Sequence, residues 1–127
     1  MHADEVVLPQ LTERIIGCAL TVANTPGAGF VKKVYENALA LELRSLALSV
    51  EQQRGIDVKY KGALIGHYVA DLLVEASVVV ELKAIRSVDP SQFAQCRNYL
   101  KATGPHLCLL INFGGPRVEI KRIVLDL

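Results

Sequence analysis

The alternation of apolar and polar positions predicts three helices and five strands. Apolar residues recur at helical spacing in segments 9–24, 30–47 and 90–102. Apolar runs rich in β-branched residues, or alternating segments, predict strands at 50–60, 68–74, 78–82, 107–113 and 118–123. The resulting order, ααβββαββ, indicates a mixed α/β sheet flanked by helices, formed by a single domain covering residues 1–127.

The most informative stretch is the pair of apolar runs in the middle of the chain. Runs 68–74 and 78–82 flank a three-residue break at 75–77, which predicts an antiparallel hairpin with a short loop. Such a loop pairs Val74 with Val78, and that pair sets the register of both strands. The second run begins with three consecutive valines, as expected of a strand that is buried on both faces.

This register brings three charged side chains to one face of the hairpin. Asp71 falls opposite Glu81, about 5 Å away at Cβ, and Lys83 points the same way because strands have a period of two. Two carboxylates in apolar surroundings require a cation between them. Hard cations such as Mg²⁺ bind a few carboxylate oxygens and keep waters for substrate phosphates. The pattern predicts a divalent metal site, with a solvated Glu81–Lys83 ion pair as the simpler alternative.

Composition and charge restrict the classes of function. The chain has 127 residues, 51% apolar and 21% charged, which is typical of one ordered domain. Its net charge of +1 means that any nucleic-acid binding uses a local patch. Three widely spaced cysteines without a zinc motif indicate reduced thiols and a cytoplasmic protein. No signal peptide or membrane-spanning run is visible, so we expect no membrane association.

Five segments, taken in order, resemble the bacterial and archaeal GxxExxY protein family, within the PD-(D/E)xK nuclease superfamily. They are Gly29–Glu36, Ala70–Val74, Val80–Ala84, Ala94–Gly104 and Leu110–Gly114. The similarity covers nearly the whole chain. It implies a restriction-endonuclease-like αβββαβ core, here with an extra N-terminal helix and a C-terminal strand.

The resemblance also implies roles for four residues. Asp71 and Glu81 would bind Mg²⁺ or Mn²⁺, and Lys83 would position or polarise an attacking water. Gln95, on the following helix, would be an auxiliary active-site residue. The metal would lower the pKa of the water and stabilise charge on the scissile phosphate of a nucleic acid, DNA or RNA.

The chain departs from its apparent relatives in the motif that names them. Gly29 and Tyr35 match, but Lys32 occupies the glutamate position. Lys32 and Tyr35 are auxiliary candidates for the site. A positive charge about 6 Å from a dication costs roughly 3 kcal/mol at an effective dielectric near 20, enough to weaken metal binding a hundredfold. Glu36, one turn on, is an auxiliary candidate that either substitutes for the missing glutamate or pairs with Lys32.

Two functions therefore remain open from the sequence. The first is a metal-dependent nuclease acting through Asp71, Glu81 and Lys83. The second is a catalytically impaired nuclease-fold module that binds nucleic acid or a protein partner, which Lys32 and the near-neutral charge favour. A small structural or dimerisation domain, forming a homodimer, is a third alternative.

Overall fold

The computed structural model describes residues 3–25, 29–102, 105 and 107–124. Its elements are α1 (Ala3–Asn24), α2 (Lys32–Ser45), β1 (Val50–Tyr60), β2 (Ala63–Val74), β3 (Val78–Lys83), α3 (Pro90–Ala102), β4 (Leu107–Asn112) and β5 (Glu119–Val124). The order is the predicted one. Helix α1 begins before residue 9, so that Pro9 lies inside it. Predicted turn residues Pro26, Gly27, Ala28 and Gly104 lie outside the described residues.

The five strands form one mixed sheet in the spatial order β1-β2-β3-β4-β5. Neighbouring strands are antiparallel except β3 and β4, which run parallel because α3 carries the chain across between them. The β2–β3 hairpin has the predicted register, with Val74 opposite Val78. This topology confirms the restriction-endonuclease-like fold.

The sheet is covered on both faces. One apolar cluster joins α1 and α2 to alternate residues of β3 and β4, among them Val78, Val80 and Leu82. The other joins α3 to the opposite face, where Val79 and Cys108 lie. Strand β3 is therefore buried on both faces, as its run of valines predicted. No helix in the described part of the chain is long and apolar enough to cross a membrane.

Strand β2 pairs with β3 at three residues, which is half the length of β3. The β2–β3 pairs end at Leu72 and Val80, whereas β2 remains paired with β1 through Ala63. The face alternation of β2 also changes there, because Ala70 and Leu72 belong to the two different apolar clusters. A regular strand would place both on one face. The sheet therefore opens at Asp71, between the β1–β2 hairpin and the rest.

The loops at the ends of β3 and β4 are fastened together by a buried amide. Asn112 donates through Nδ2 to the Ile85 carbonyl at 2.9 Å, and its Oδ1 accepts from Ile85 N at 3.0 Å. A Cβ on Gly114 would stand 2.3 Å from Ile85 N, so no side chain fits there. Gly114, predicted only as a turn residue, is thus needed for close approach, and the end of β3 that carries Lys83 is held firmly.

Helix α3 begins at Pro90, the first residue of the predicted segment 90–102, and has a side-chain cap at Asp89. Asp89 is the N-cap, and its carboxylate accepts a hydrogen bond from Ser91 N at 2.9 Å. The Gln92 side chain accepts in return from Asp89 N at 2.7 Å, which completes a capping box. The hydrogen bonds from Ser91 lower the pKa of Asp89. This cap fixes where α3 starts and hence which of its residues face the opening in the sheet.

Candidate active site

The separation of β2 from β3 creates a pocket of about 230 Å³. Side chains from α2, β2, β3 and α3 line it: Lys32, Tyr68, Val69, Asp71, Glu81, Lys83, Gln95 and Tyr99. The pocket thus brings together the four residues expected to carry the chemistry and the lysine that replaces the family glutamate.

Asp71 is buried, with 3% of its surface exposed, and both of its oxygens have donors. Oδ2 accepts from Leu82 N at 2.8 Å, so the side chain takes the place of a strand partner just beyond the last β2–β3 pair. Oδ1 lies 2.9 Å from Lys32 Nζ and accepts a longer hydrogen bond from Gln53 Nε2 at 3.3 Å. The charge of Asp71 is therefore well compensated.

The carboxyl group of Glu81, unlike that of Asp71, is not fully hydrogen-bonded. It is 8% exposed, and its Oε1 is buried without a hydrogen-bond partner within the described structure. Burial, and next the charge of Asp71, raise the pKa of Glu81 to about 8, while the Lys32 ammonium acts to lower it. At neutral pH this carboxyl therefore largely keeps its proton in the metal-free protein.

A divalent cation fits this donor set. An unpartnered, desolvated carboxyl oxygen beside a second carboxylate is the arrangement that an added positive charge stabilises most. Within the described ranges, no group of three or more His, Cys, Asp or Glu side chains is placed to hold a metal. Asp71 and Glu81 would thus be the two protein ligands, leaving the other positions to water and phosphate oxygens, as Mg²⁺ prefers.

Lys32 stands where the sequence placed it, over the carboxylate pair. It is the first residue of α2, and its side chain remains 44% exposed while its ammonium contacts Asp71. The contact is a partly exposed ion pair on a long, flexible stem, and such pairs are individually weak. Lys32 can therefore swing into solvent when another cation takes its place.

Glu36 and Tyr35, the other auxiliary candidates, do not line the pocket. Glu36 is buried, and its carboxylate is held by Lys33 Nζ at 2.9 Å and by the amides of Gln52 and Gln53. The expected Lys32–Glu36 ion pair was wrong, because Lys33 makes it. Residues three and four apart on a helix both come within reach, so spacing alone did not distinguish them.

Tyr35 supports the fold around the site. Its ring is buried and stacks on Phe113 at 4.6 Å between centroids. Its hydroxyl accepts a hydrogen bond from Phe30 N at 3.2 Å. These contacts join the start of α2 to the end of β4, which gives a tyrosine a structural use at this position.

Tyr99 forms one wall of the pocket. Its hydroxyl donates to the Val69 carbonyl and accepts from Val69 N at 3.1 Å, so it binds both backbone groups left free where β2 departs from β3. Burial, and next the charge of Glu81, raise its pKa to about 12. The Tyr99 hydroxyl therefore fixes β2 to α3 at the edge of the pocket.

Two functional candidates were missed from the sequence, Gln52 and Gln53 on β1. Both donate to the Glu36 carboxylate, and Gln53 also reaches Asp71. The available signal is the run of polar residues 51–54, which interrupts the apolar–polar alternation of segment 50–60. In fact two adjacent polar residues mark the point where the strand is distorted toward the site.

Comparison with known proteins agrees with this geometry. The family model of the PD-(D/E)XK nuclease superfamily matches residues 9–123. The chain belongs to that superfamily, whose nucleases generally use divalent metal ions. The narrower resemblance to the GxxExxY family stays a prediction.

Among solved structures, the chain is similar to the crystal structure of SSO0001, with a TM-score of 0.59 and 18% sequence identity. The match covers 76% of this chain and 51% of that one, so this chain spans about half the length of its structural relative. At this identity the likeness shows a shared fold alone. No curated protein matches the sequence.

Proposed function

We propose that this protein is a Mg²⁺- or Mn²⁺-dependent nuclease that hydrolyses phosphodiester bonds of nucleic acid. The observation that carries the proposal is the buried, unpartnered Oε1 of Glu81 beside Asp71, in a pocket that Lys83 also lines. An apolar or amide side chain would be more stable than Glu81 in a purely structural role. The bound metal would activate water and stabilise charge on the phosphate.

The side chains of the pocket then divide the remaining work. Asp71 and Glu81 would hold the cation, and Glu81 would have to lose its proton to serve as a ligand. Lys83 reaches the pocket from the held end of β3, where its ammonium can orient the attacking water and neutralise a phosphate oxygen. Gln95 is exposed on α3 and donates from the mouth of the pocket to a phosphate oxygen.

A second groove, of about 240 Å³, offers a path for the nucleic-acid strand. It is lined by Val58, Tyr68, Asn98 and Lys101, and Tyr68 also lines the active-site pocket. An aromatic ring and a basic side chain next to the reacting phosphate suit a base and the adjoining phosphate. They supply a local patch, which a chain of near-neutral charge requires.

The alternative function, a catalytically impaired module that binds nucleic acid, is favoured by Lys32. Its ammonium occupies the Asp71 oxygen that a metal would use. If no cation displaces Lys32, the pocket keeps the fold of a nuclease without its chemistry. Binding would then depend on phosphate contacts, would weaken with salt through counterion release, and would not require metal.

Cleavage of labelled DNA and RNA oligonucleotides, with Mn²⁺ or with chelator, tests these functions. We expect metal-dependent cleavage that Lys83→Ala lowers more than a hundredfold while the thermal melt stays close to wild type. Lys121→Ala is the matched control, because that lysine is exposed on β5 and does not line the pocket. Full activity of Lys83→Ala would refute the proposed role. Salt-sensitive binding without cleavage would favour the impaired module.

A further inference from the structure

The backbone of β1 is distorted directly opposite Asp71. Ladder pairs join Gln52 to Leu72 and Arg54 to Ala70, and between them stand Gln53 and Asp71, which do not pair. Gln53 has a φ of 54°, in the left-handed region that residues with a Cβ normally avoid. An unfavourable conformation in the middle of a strand persists only where the surrounding contacts impose it, and such residues cluster at functional sites.

The distortion changes which side of the strand Gln53 faces. In a regular strand, consecutive side chains point to opposite faces. Here Gln52 Nε2 donates to Glu36 Oε2 at 2.8 Å, and Gln53 Nε2 donates to Glu36 Oε1 at 2.6 Å. Two adjacent residues therefore bind the two oxygens of one carboxylate, which the left-handed backbone makes possible.

Of these two glutamines, Gln53 is the one that also contacts Asp71 in the candidate site. The same Nε2 that binds Glu36 donates its second N–H to Asp71 Oδ1 at 3.3 Å. Glu36 is a fixed anchor for it, because the carboxylate is 1% exposed and is also held by Lys33. Gln53 thus connects a buried structural carboxylate to the carboxylate that faces the pocket.

We propose that Gln53 is a positioning residue, which orients Asp71 for the bound cation by tying its Oδ1 to the Glu36 anchor. The inference rests on the proposed function. Lys32 also contacts Oδ1 but, being cationic, must leave when a metal arrives. Gln53 is neutral and can stay, so it keeps the oxygen in place throughout. Partners that hold a metal ligand in this way usually affect metal affinity ten- to a hundredfold.

The variant Gln53→Asn separates positioning from stability. Asparagine tolerates the left-handed conformation better than glutamine does, but its shorter side chain cannot reach Glu36 and Asp71 together. We expect a modest fall in melting temperature, because Glu36 loses one of its donors, and an affinity for Mn²⁺ about tenfold lower, measured calorimetrically. Gln52→Asn is the matched control. Gln52 also donates to the Glu36 carboxylate, but within the described structure its amide has no hydrogen bond to Asp71.

A second readout needs no metal. The backbone N–H of Leu82 donates to Asp71 Oδ2 at 2.8 Å, so its amide resonance and hydrogen exchange report how Asp71 is held. We expect Gln53→Asn, and not Gln52→Asn, to shift this resonance and to speed its exchange. An unchanged Leu82 amide would overturn the inference, as would equal Mn²⁺ affinities of the two variants. If wild type binds no Mn²⁺, the proposed function fails, and the Leu82 amide alone decides the role of Gln53.

Discussion

The two sides of the pocket treat their carboxylates in opposite ways. On the side of α2 and β1, Glu36 receives three donors and Asp71 is paired at both oxygens. On the side of β3 and α3, Glu81 keeps one oxygen without any donor. Burial is similar, since all three residues are at most 8% exposed. The three carboxylates therefore differ in their hydrogen-bond donors and not in their burial. Glu36 and Asp71 are satisfied within the fold, whereas Glu81 has an oxygen available to a ligand.

The sharpest test of this contrast replaces each glutamate by its amide. Glu36→Gln puts an NH₂ group against donors from Lys33, Gln52 and Gln53, so we expect a loss of about 2–3 kcal/mol in unfolding free energy. Glu81→Gln removes a carboxyl that must take up a proton to be buried at pH 7 and has an unsatisfied oxygen, so we expect unchanged or higher stability at that pH. Denaturant titrations of both variants measure the difference. Equal losses would mean that the two sides do not differ.

Reversing the charge of Lys32 should make the stability of the protein depend on a bound metal ion. In Lys32→Glu, Asp71 loses its ammonium and gains a like charge, so we expect about 1–2 kcal/mol of destabilisation without metal, tempered by the exposure of the side chain. Excess Mn²⁺ should restore the melting temperature, because a ligand that binds only the folded state stabilises it. Latent cleavage should rise as well.

Thermal melts of wild type and Lys32→Glu, each with chelator and with Mn²⁺, decide this. The same metal-induced shift in both proteins would make Lys32 an ordinary surface lysine.

The remaining expected effect is on the pH dependence of stability. The pKa of Glu81 is raised from 4.5 to about 8, so between these values the folded protein binds more protons than the unfolded chain. The contribution of Glu81 to the free energy of unfolding is therefore greatest below pH 4.5 and decreases as the pH rises toward 8. The slope is about 1 kcal/mol per pH unit near neutrality.

Melts from pH 6 to pH 8 in chelator should show this decline, and Glu81→Gln should flatten it. Mn²⁺ should bind more tightly as pH rises, because its ligand must lose a proton. A wild-type profile that matches Glu81→Gln would contradict the shifted pKa.

Regular periodicity predicted the architecture and part of the site. The register of Val74 and Val78 follows from loop length and two apolar runs, and it carries Asp71, Glu81 and Lys83 to one pocket. Local irregularities were beyond such reasoning. The left-handed backbone of Gln53 and the close approach at Gly114 depend on atoms far away in sequence. The choice of Lys33 over Lys32 as partner of Glu36 depends on side-chain directions that spacing does not specify.

The hydrogen bond from Leu82 N to Asp71 has a consequence for how such a protein changes under relaxed selection. Asp71 fills a vacant backbone partner as well as any chemical role, so its loss would expose an unsatisfied N–H even in a chain with no activity. Glu81 also accepts a hydrogen bond from the backbone N–H of Asp71, but its Oε1 is buried without a donor among the described residues, so a neutral glutamine would serve the fold as well. In a lineage that has abandoned catalysis, the acid at position 81 should be replaced first and Asp71 should persist, so the survival of Asp71 says little about activity, whereas the survival of Glu81 says a great deal.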